Sequence, residues 1–138
     1  RVASKVKVLY KNSDLKKMMQ LLRRGELIAV PIDQDARDKG ILSPFLDIPA
    51  STPTGVAKLA DKFDCKVVAG FCVKAEDGIY DFYLLPALES EDGKRFGEDV
   101  QKSIDRCNEV ISEWIRKYPE QWMWLYPRWE SVEEGQIK

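Results

Sequence analysis

The pattern that most constrains the fold is a strand–helix–strand sequence within the first 32 residues. Residues 6–10 are short and β-rich, and residues 15–24 repeat leucine and methionine at helical spacing before Gly25. Residues 27–32 form a continuous apolar run, which is typical of a strand buried on both faces. A helix between two such strands favours parallel pairing through a right-handed crossover. The sequence therefore predicts an α/β fold with a mixed, largely parallel sheet flanked by helices.

A second set of elements follows a long loop. Residues 33–54 lose hydrophobic periodicity, and we expect them to form a loop that ends where Ser51 or Thr52 caps a helix. Beyond that helix, residues 67–73 and 79–85 are typical of two strands joined by a Glu-Asp-Gly hairpin turn. The second strand carries apolar residues at both parities, which predicts that both of its faces are covered.

One long helix dominates the C-terminal third. Apolar residues recur at helical spacing from about residue 98 to 118, and Pro119 ends the pattern. An aromatic tail follows at residues 119–130. Residues 1–138 are predicted to be a single α/β domain or a part of a larger one. Because Arg1 falls in mid-pattern, we expect a piece of a longer protein, with exposed apolar surface where the remainder docks.

Composition narrows the function. The 22 basic and 23 acidic residues nearly cancel, which argues against a nucleic-acid binder. The chain has no histidine, and Cys65, Cys72 and Cys107 show no Cys-x-x-Cys spacing, so no zinc site is expected. Reduced thiols in a cytosolic compartment are the favoured interpretation. No apolar run approaches the roughly 20 residues that cross a bilayer.

The candidate site begins with an acidic loop. Asp33 follows the apolar run, where a carboxylate can orient a substrate or a catalytic histidine, or can instead cap the loop. Gln34 could bond a sugar or a carbonyl, whereas Asp35 is assigned to loop structure. Arg37 and Lys39 could meet acceptor phosphates or an acidic carrier protein, or be ordinary solvated charges. The hydroxyls of residues 51–54 are assigned to helix capping, because no histidine is present to activate a nucleophile.

The chain resembles bacterial lipid A biosynthesis acyltransferases, the lauroyl/myristoyl-type enzymes of the lysophospholipid acyltransferase superfamily. The resemblance runs from about residue 6 to 129. It rests on these motifs in order: Asp33-Gln34, Pro44-Phe45, the Pro-Ala-Ser-Thr-Pro-Thr-Gly run at 49–55, Leu59-Ala60, Val67-Val68, Ile115-Arg116, Pro119-Glu120-Gln121-Trp122, Trp124 and Arg128-Trp129.

This resemblance implies transfer of an acyl chain from an acyl carrier protein or coenzyme A thioester to a hydroxyl of a glycolipid acceptor. It implies no metal or other cofactor, no nucleic-acid partner, and a parent protein at the cytoplasmic face of the bacterial inner membrane. The family's general base is a histidine in a His-x-x-x-x-Asp/Glu motif upstream of the Asp-Gln loop. The resemblance is therefore to the C-terminal portion, and we expect the chain alone to be inactive. The candidate substrate-binding residues are Asp33, Gln34, Arg37, Arg128 and Arg1. Arg1 corresponds to an arginine that the family places ahead of its strand–helix–strand unit, and Arg128, between the tail rings, could stack on a ring or hold a phosphate.

Departures from the family pattern leave the acceptor open. The chain reads Phe45-Leu46-Asp47 where relatives carry Phe-Phe-Gly. Residues 126–130 read Tyr-Pro-Arg-Trp-Glu where the family tail often reads His-Arg-Arg-Trp-Lys, which removes two positive charges and a histidine and adds an acid. One alternative is a different acceptor, such as a mannosylated phosphatidylinositol. Another is a non-enzymatic lipid- or protein-binding module on the same scaffold. The tail rings of Trp122 and Trp124 suit either a membrane interface or packing on the domain.

Overall fold

A computed structural model describes residues 8–10, 14–90 and 93–136. The chain divides into two compact units, Arg1–Val30 and Pro31–Lys138. The elements are helices α1 (Leu15–Arg23), α2 (Gly55–Phe63), α3 (Val100–Lys117) and α4 (Glu130–Glu133), with strands β1 (Ile41–Phe45), β2 (Ile48–Thr52), β3 (Val68–Lys74) and β4 (Tyr80–Ala87). Short 3₁₀ turns occupy Arg37–Lys39 and Pro119–Gln121.

The first unit contains α1, as the sequence predicts. Asp14 precedes it and makes no side-chain cap bond, since its carboxylate accepts instead from the Tyr10 N–H at 2.9 Å. Gly25 follows the end of the helix with φ +73°. Residues 6–7 of the first predicted strand lie outside the described residues. Residues 8–10 and 27–32 form no strand.

The prediction of a largely parallel sheet is wrong, because both sheets in the described ranges are two-stranded and antiparallel. A strand buried on both faces needs bonded neighbours, and no described strand pairs with residues 27–32. Leu27 is accordingly 87% exposed and Val30 42% exposed. The apolar run is present, but the elements that would make it a central strand are not among the described residues.

The β1–β2 hairpin lies inside the segment predicted to be a loop. Its two-residue turn places Leu46 and Asp47 at φ +52° and +68°, the geometry that suits a tight hairpin. Pro44 faces Pro49 directly, one pair away from the bonded pair that closes the turn. That position is a non-hydrogen-bonded pair, so neither missing N–H breaks the ladder.

Helix capping by Ser51 or Thr52 is also wrong. Both residues belong to β2 and are fully buried, and the residue that precedes α2 is Thr54, which makes no side-chain cap bond. The Ser51 hydroxyl instead donates to the Arg37 carbonyl, and the Thr52 hydroxyl accepts from Asn108 of α3 and from Arg128 of the C-terminal tail. Periodicity could not show this, because a hydroxyl before a helix pattern looks the same in either role.

Helix α3 organises the second unit and lies close to its predicted span of 98–118. Asp99 caps it by accepting from the Lys102 N–H at 3.1 Å. Its buried face meets the hairpin through Ile115, which clusters with Phe45 and Ala50. Farther towards its N-terminus, Cys107 belongs to a second cluster with side chains of α2.

The predicted β3–β4 hairpin is confirmed, with Gly78 at φ +83° in its turn. One face packs on α3, where the Phe71 ring stacks on Trp114 at 4.5 Å between centroids. The other face exposes Phe82 and Leu84, whose side chains are 67% and 63% exposed, so the prediction that both faces are covered is wrong within the described residues.

Among the helices of the described residues, none is both long and apolar enough to cross a membrane.

Candidate functional site

The carboxylate of Asp35 ties the acidic loop to the C-terminal tail. It accepts from the Ser131 N–H at 2.9 Å, the Ser131 hydroxyl at 2.7 Å and the Arg37 N–H at 2.9 Å. The Asp35 N–H donates to the Tyr126 hydroxyl at 3.1 Å. Burial raises the pKa of Asp35, but these hydrogen bonds and the charge of Arg128 outweigh it, leaving the pKa below its usual value. Asp35 therefore serves loop structure, as the sequence suggests.

Arg128 is fully buried behind the same loop. Its Nη1 donates to the Ser51 carbonyl at 2.6 Å and its Nη2 to the Thr52 hydroxyl at 2.7 Å. The guanidinium carbon lies 4.6 Å from the centroid of the Phe45 ring. Burial lowers the pKa of Arg128, and two nearby carboxylates, Asp35 and Asp33, oppose that effect. The tail is thereby fixed to β2 by a charged fork inside the core.

A close backbone approach completes the contact between the loop and β2. The Ser51 hydroxyl donates to the Arg37 carbonyl at 2.6 Å. A Cβ placed on Gly40 would lie 2.3 Å from the Ser51 Oγ, so a side chain there would displace one of the two segments. The loop, β2 and the tail thus form one interlocked unit.

Asp33 lies beside an apolar groove of about 340 Å³, within the size range of small-molecule sites. The groove runs between α3, β3 and the turn that follows α3. In the described part of the chain, Asp33 is the only acidic or basic residue that lines it. The lining comprises Pro31, Asp33, Gly70, Phe71, Cys72, Val73, Ile111, Trp114, Ile115, Tyr118, Gln121 and Trp122. A single carboxylate beside aromatic and aliphatic walls suits an elongated apolar ligand with one polar end.

Three of the other predicted site residues, Gln34, Arg37 and Arg128, do not line this groove. Gln34 is exposed beside Asp33. Arg37 is exposed, adopts φ +53° and pairs with Glu130, with 3.3 Å between Nη2 and Oε2. Arg128 is buried, and its side chain is occupied by β2. Arg1 lies outside the described residues.

Sequence reasoning missed the polar residues on the buried face of α3. Asn108 donates from Nδ2 to both the Ser43 and Thr52 hydroxyls at 2.9 Å. Ser112 accepts from the Leu46 N–H at 2.9 Å and donates to the Asn108 carbonyl at 2.7 Å. The available signal was their position, because both fall on the apolar stripe of an amphipathic helix, where a polar residue needs a partner.

Comparison with known proteins identifies the family. The family model for bacterial lipid A biosynthesis acyltransferases matches residues 1–131. The chain belongs to this family. It is also similar to the lipid A biosynthesis lauroyltransferase of Escherichia coli (strain K12), with 29% identity over 132 residues, which cover 94% of this chain. The aligned region spans 42% of that relative's length.

Family membership confirms the resemblance drawn from the Asp-Gln loop, the 49–55 run and the aromatic tail. The interlocked loop, β2 and tail contain most of the residues that carried the resemblance. The remaining motif residues lie on α2, α3, β1 and near the start of β3.

Proposed function

We propose that this chain is the C-terminal part of a lipid A biosynthesis-type acyltransferase that moves an acyl chain from an acyl thioester to a hydroxyl of a glycolipid. The observation that carries the proposal is Asp33 beside the apolar groove, within a chain that belongs to the family. The thioester belongs to an acyl carrier protein or to coenzyme A. No metal or other cofactor and no nucleic acid takes part.

The groove offers a place for the acyl chain. Its walls include the rings of Phe71, Trp114 and Trp122, which remove methylene groups from water. Each buried methylene contributes about 0.8 kcal/mol to binding. Asp33 then marks the end at which the polar reacting groups would lie. This arrangement uses the groove for affinity and leaves the carboxylate for orientation.

The reaction needs a general base. The acceptor hydroxyl attacks the thioester carbonyl, loses its proton to the base, and expels a thiolate that is protonated as it leaves. The chain contains no histidine. We therefore place the base in a part of the protein outside these 138 residues, with Asp33 orienting either that histidine or the acceptor. Alone, the chain binds but does not catalyse.

The remaining candidates surround the loop. Gln34 is exposed next to Asp33 and can bond a sugar or a carbonyl of the acceptor. Arg37 is exposed and can exchange Glu130 for an acceptor phosphate or for the acidic surface of a carrier protein. Arg1 is retained as a substrate-binding candidate from the family pattern. Arg128 is assigned to holding the loop, because its guanidinium is buried and occupied.

The site of action follows from the substrate. A glycolipid acceptor resides in a membrane, and we place the parent protein at the cytoplasmic face of the bacterial inner membrane. The relative's name specifies lauroyl transfer, so a dodecanoyl thioester is the first donor to test.

The decisive experiment measures acyl transfer to lipid A precursors by the chain joined to the preceding part of the natural protein. Asp33→Asn is expected to lower kcat/KM by at least about 100-fold if the carboxylate orients the base or the acceptor. Asp38→Asn is the matched control, because Asp38 is an exposed carboxylate on the same loop that does not line the groove. Equal activity of both variants would remove Asp33 from the site.

The second candidate is a non-enzymatic acyl- or lipid-binding module, favoured by the groove together with the absence of histidine. Dodecanoyl-coenzyme A, below its micellar concentration, is expected to change the fluorescence of Trp114 and Trp122 in the isolated chain. Binding without transfer, even in the joined protein, would select this second function.

A further inference from the structure

The loop after α3 ends in an exposed apolar tip. Met123, Trp124 and Leu125 are consecutive and are 72%, 53% and 97% exposed. Single exposed apolar residues are common on soluble proteins, but a run of three is unfavourable unless it has a function. These residues are called the 123–125 tip below.

The tip is held by contacts on its inner side. The Trp122 ring lies 5.5 Å from Phe45 and 6.2 Å from Trp129, so the residue before the tip is anchored in the core. The side chain of Gln121 bonds both the N–H and the carbonyl of Lys74, at 2.7 and 3.0 Å. The tip therefore projects from a fixed base.

Both N–H groups of Trp124 and the carbonyl of Met123 are already paired. The Trp124 indole N–H donates to the Pro119 carbonyl at 2.6 Å, and the Trp124 backbone N–H donates to the Trp122 carbonyl at 3.0 Å. The Met123 carbonyl accepts from the Tyr126 N–H at 3.0 Å. Groups that are already paired can enter an apolar phase without losing a hydrogen bond to water, which lowers the cost of inserting the Trp124 ring.

We propose that the 123–125 tip inserts into the interface of a lipid bilayer and so places the groove at the membrane surface. This inference rests on the proposed function, since the acceptor is a lipid. Three residues that line the groove, Tyr118, Gln121 and Trp122, lead directly into the tip. A lipid chain that leaves the bilayer beside the tip therefore meets the groove first.

Two features favour a bilayer over a protein partner. Three side chains expose at most a few hundred Å², whereas a stable protein interface buries roughly 800 Å² on each partner. Trp is also the residue that membrane interfaces favour, because its ring is apolar and its N–H is polar. Lys117 and Glu120, at the base of the loop, have opposite charges. We therefore expect the apolar side chains, rather than net charge, to drive binding to the bilayer.

The test uses the purified chain and sedimentation with vesicles of phosphatidylcholine, alone or with phosphatidylglycerol. Leu125→Asp is expected to lower the vesicle partition coefficient at least about tenfold, because it puts a charge in place of an apolar side chain that would insert into the bilayer. Leu27→Asp is the matched control, an equally simple change at another leucine that is 87% exposed, and it should bind as the unaltered chain does. Binding should change little with salt or with phosphatidylglycerol content.

Three results would overturn the proposal: no binding of the unaltered chain, undiminished binding of Leu125→Asp, or an equal loss with Leu27→Asp. Self-association that Leu125→Asp abolishes, without vesicle binding, would instead assign the tip to contact between copies. Trp124→Phe should remove the fluorescence blue shift caused by vesicles, since Trp124 is the tip's only tryptophan. If vesicle binding fails while dodecanoyl-coenzyme A still changes the tryptophan fluorescence, only the membrane inference falls and the proposed function stands.

Discussion

Replacement of the buried Arg128 offers the sharpest test of what holds the tail to the site. Arg128→Ala removes two charge-assisted hydrogen bonds and the contact with Phe45, and it leaves a cavity. Neither acceptor is orphaned, because the Ser51 carbonyl keeps the Ala36 N–H at 3.2 Å and the Thr52 hydroxyl keeps Asn108. The expected loss of unfolding free energy is about 3–4 kcal/mol, close to other large truncations in cores.

Arg128→Met should cost less, about 1–2 kcal/mol, for a physical reason that the structure supplies. Methionine fills most of the volume and still packs on the Phe45 ring. It also avoids the desolvation of a guanidinium whose pKa is lowered by burial and whose Nε has no hydrogen-bond partner among the described residues. A gap of about 2 kcal/mol between Ala and Met is therefore expected.

The assay is equilibrium urea unfolding at pH 7, followed by fluorescence, with the free energy extrapolated to water. Arg37→Ala is the matched control: its guanidinium pairs with Glu130 at the surface, and its unfolding midpoint should stay near that of the unaltered chain. A Met variant as unstable as the Ala variant would refute the reasoning. It would mean that the hydrogen-bonded charge, rather than the filled volume, holds the tail.

Three further outcomes are expected. Because the pKa of Asp35 is lower in the folded chain than in the unfolded one, its stabilisation is present above about pH 4 and is lost as pH falls through the folded pKa. Acid unfolding should accordingly show a weaker pH dependence for Asp35→Asn between about pH 5 and 2, and an unchanged dependence would contradict the hydrogen bonds assigned here. Gly40→Ala should lower the unfolding midpoint, because its Cβ would collide with the Ser51 hydroxyl, and a neutral result in thermal unfolding would count against that close approach. A maleimide should label the exposed Cys72 well before the buried Cys107, whose pKa burial raises to about 12, as peptide mass mapping over time can show.

Local sequence patterns predicted several elements of the fold correctly. The α3 helix and the β3–β4 hairpin were readable because their signals, helical periodicity and a glycine turn, involve residues close in sequence. The family could be read from short motifs for the same reason. The prediction of a central parallel strand was wrong, since the same apolar run forms a strand only when neighbouring strands pair with it.

The same distinction between local and long-range signals applies to the residues of the candidate site. The printed residues alone show that a carboxylate, Asp33, follows an apolar run and that the chain carries no histidine to act as a base. The burial of Arg128 against Ser51, 77 residues away, and the bonds of Asp35 to Ser131, 96 residues away, became visible only in the folded chain. Such pairings leave no local periodicity, because they depend on how α3 brings the hairpin and the tail together. Periodic burial can be read along a chain, whereas partners for buried polar groups are chosen only once the chain has packed.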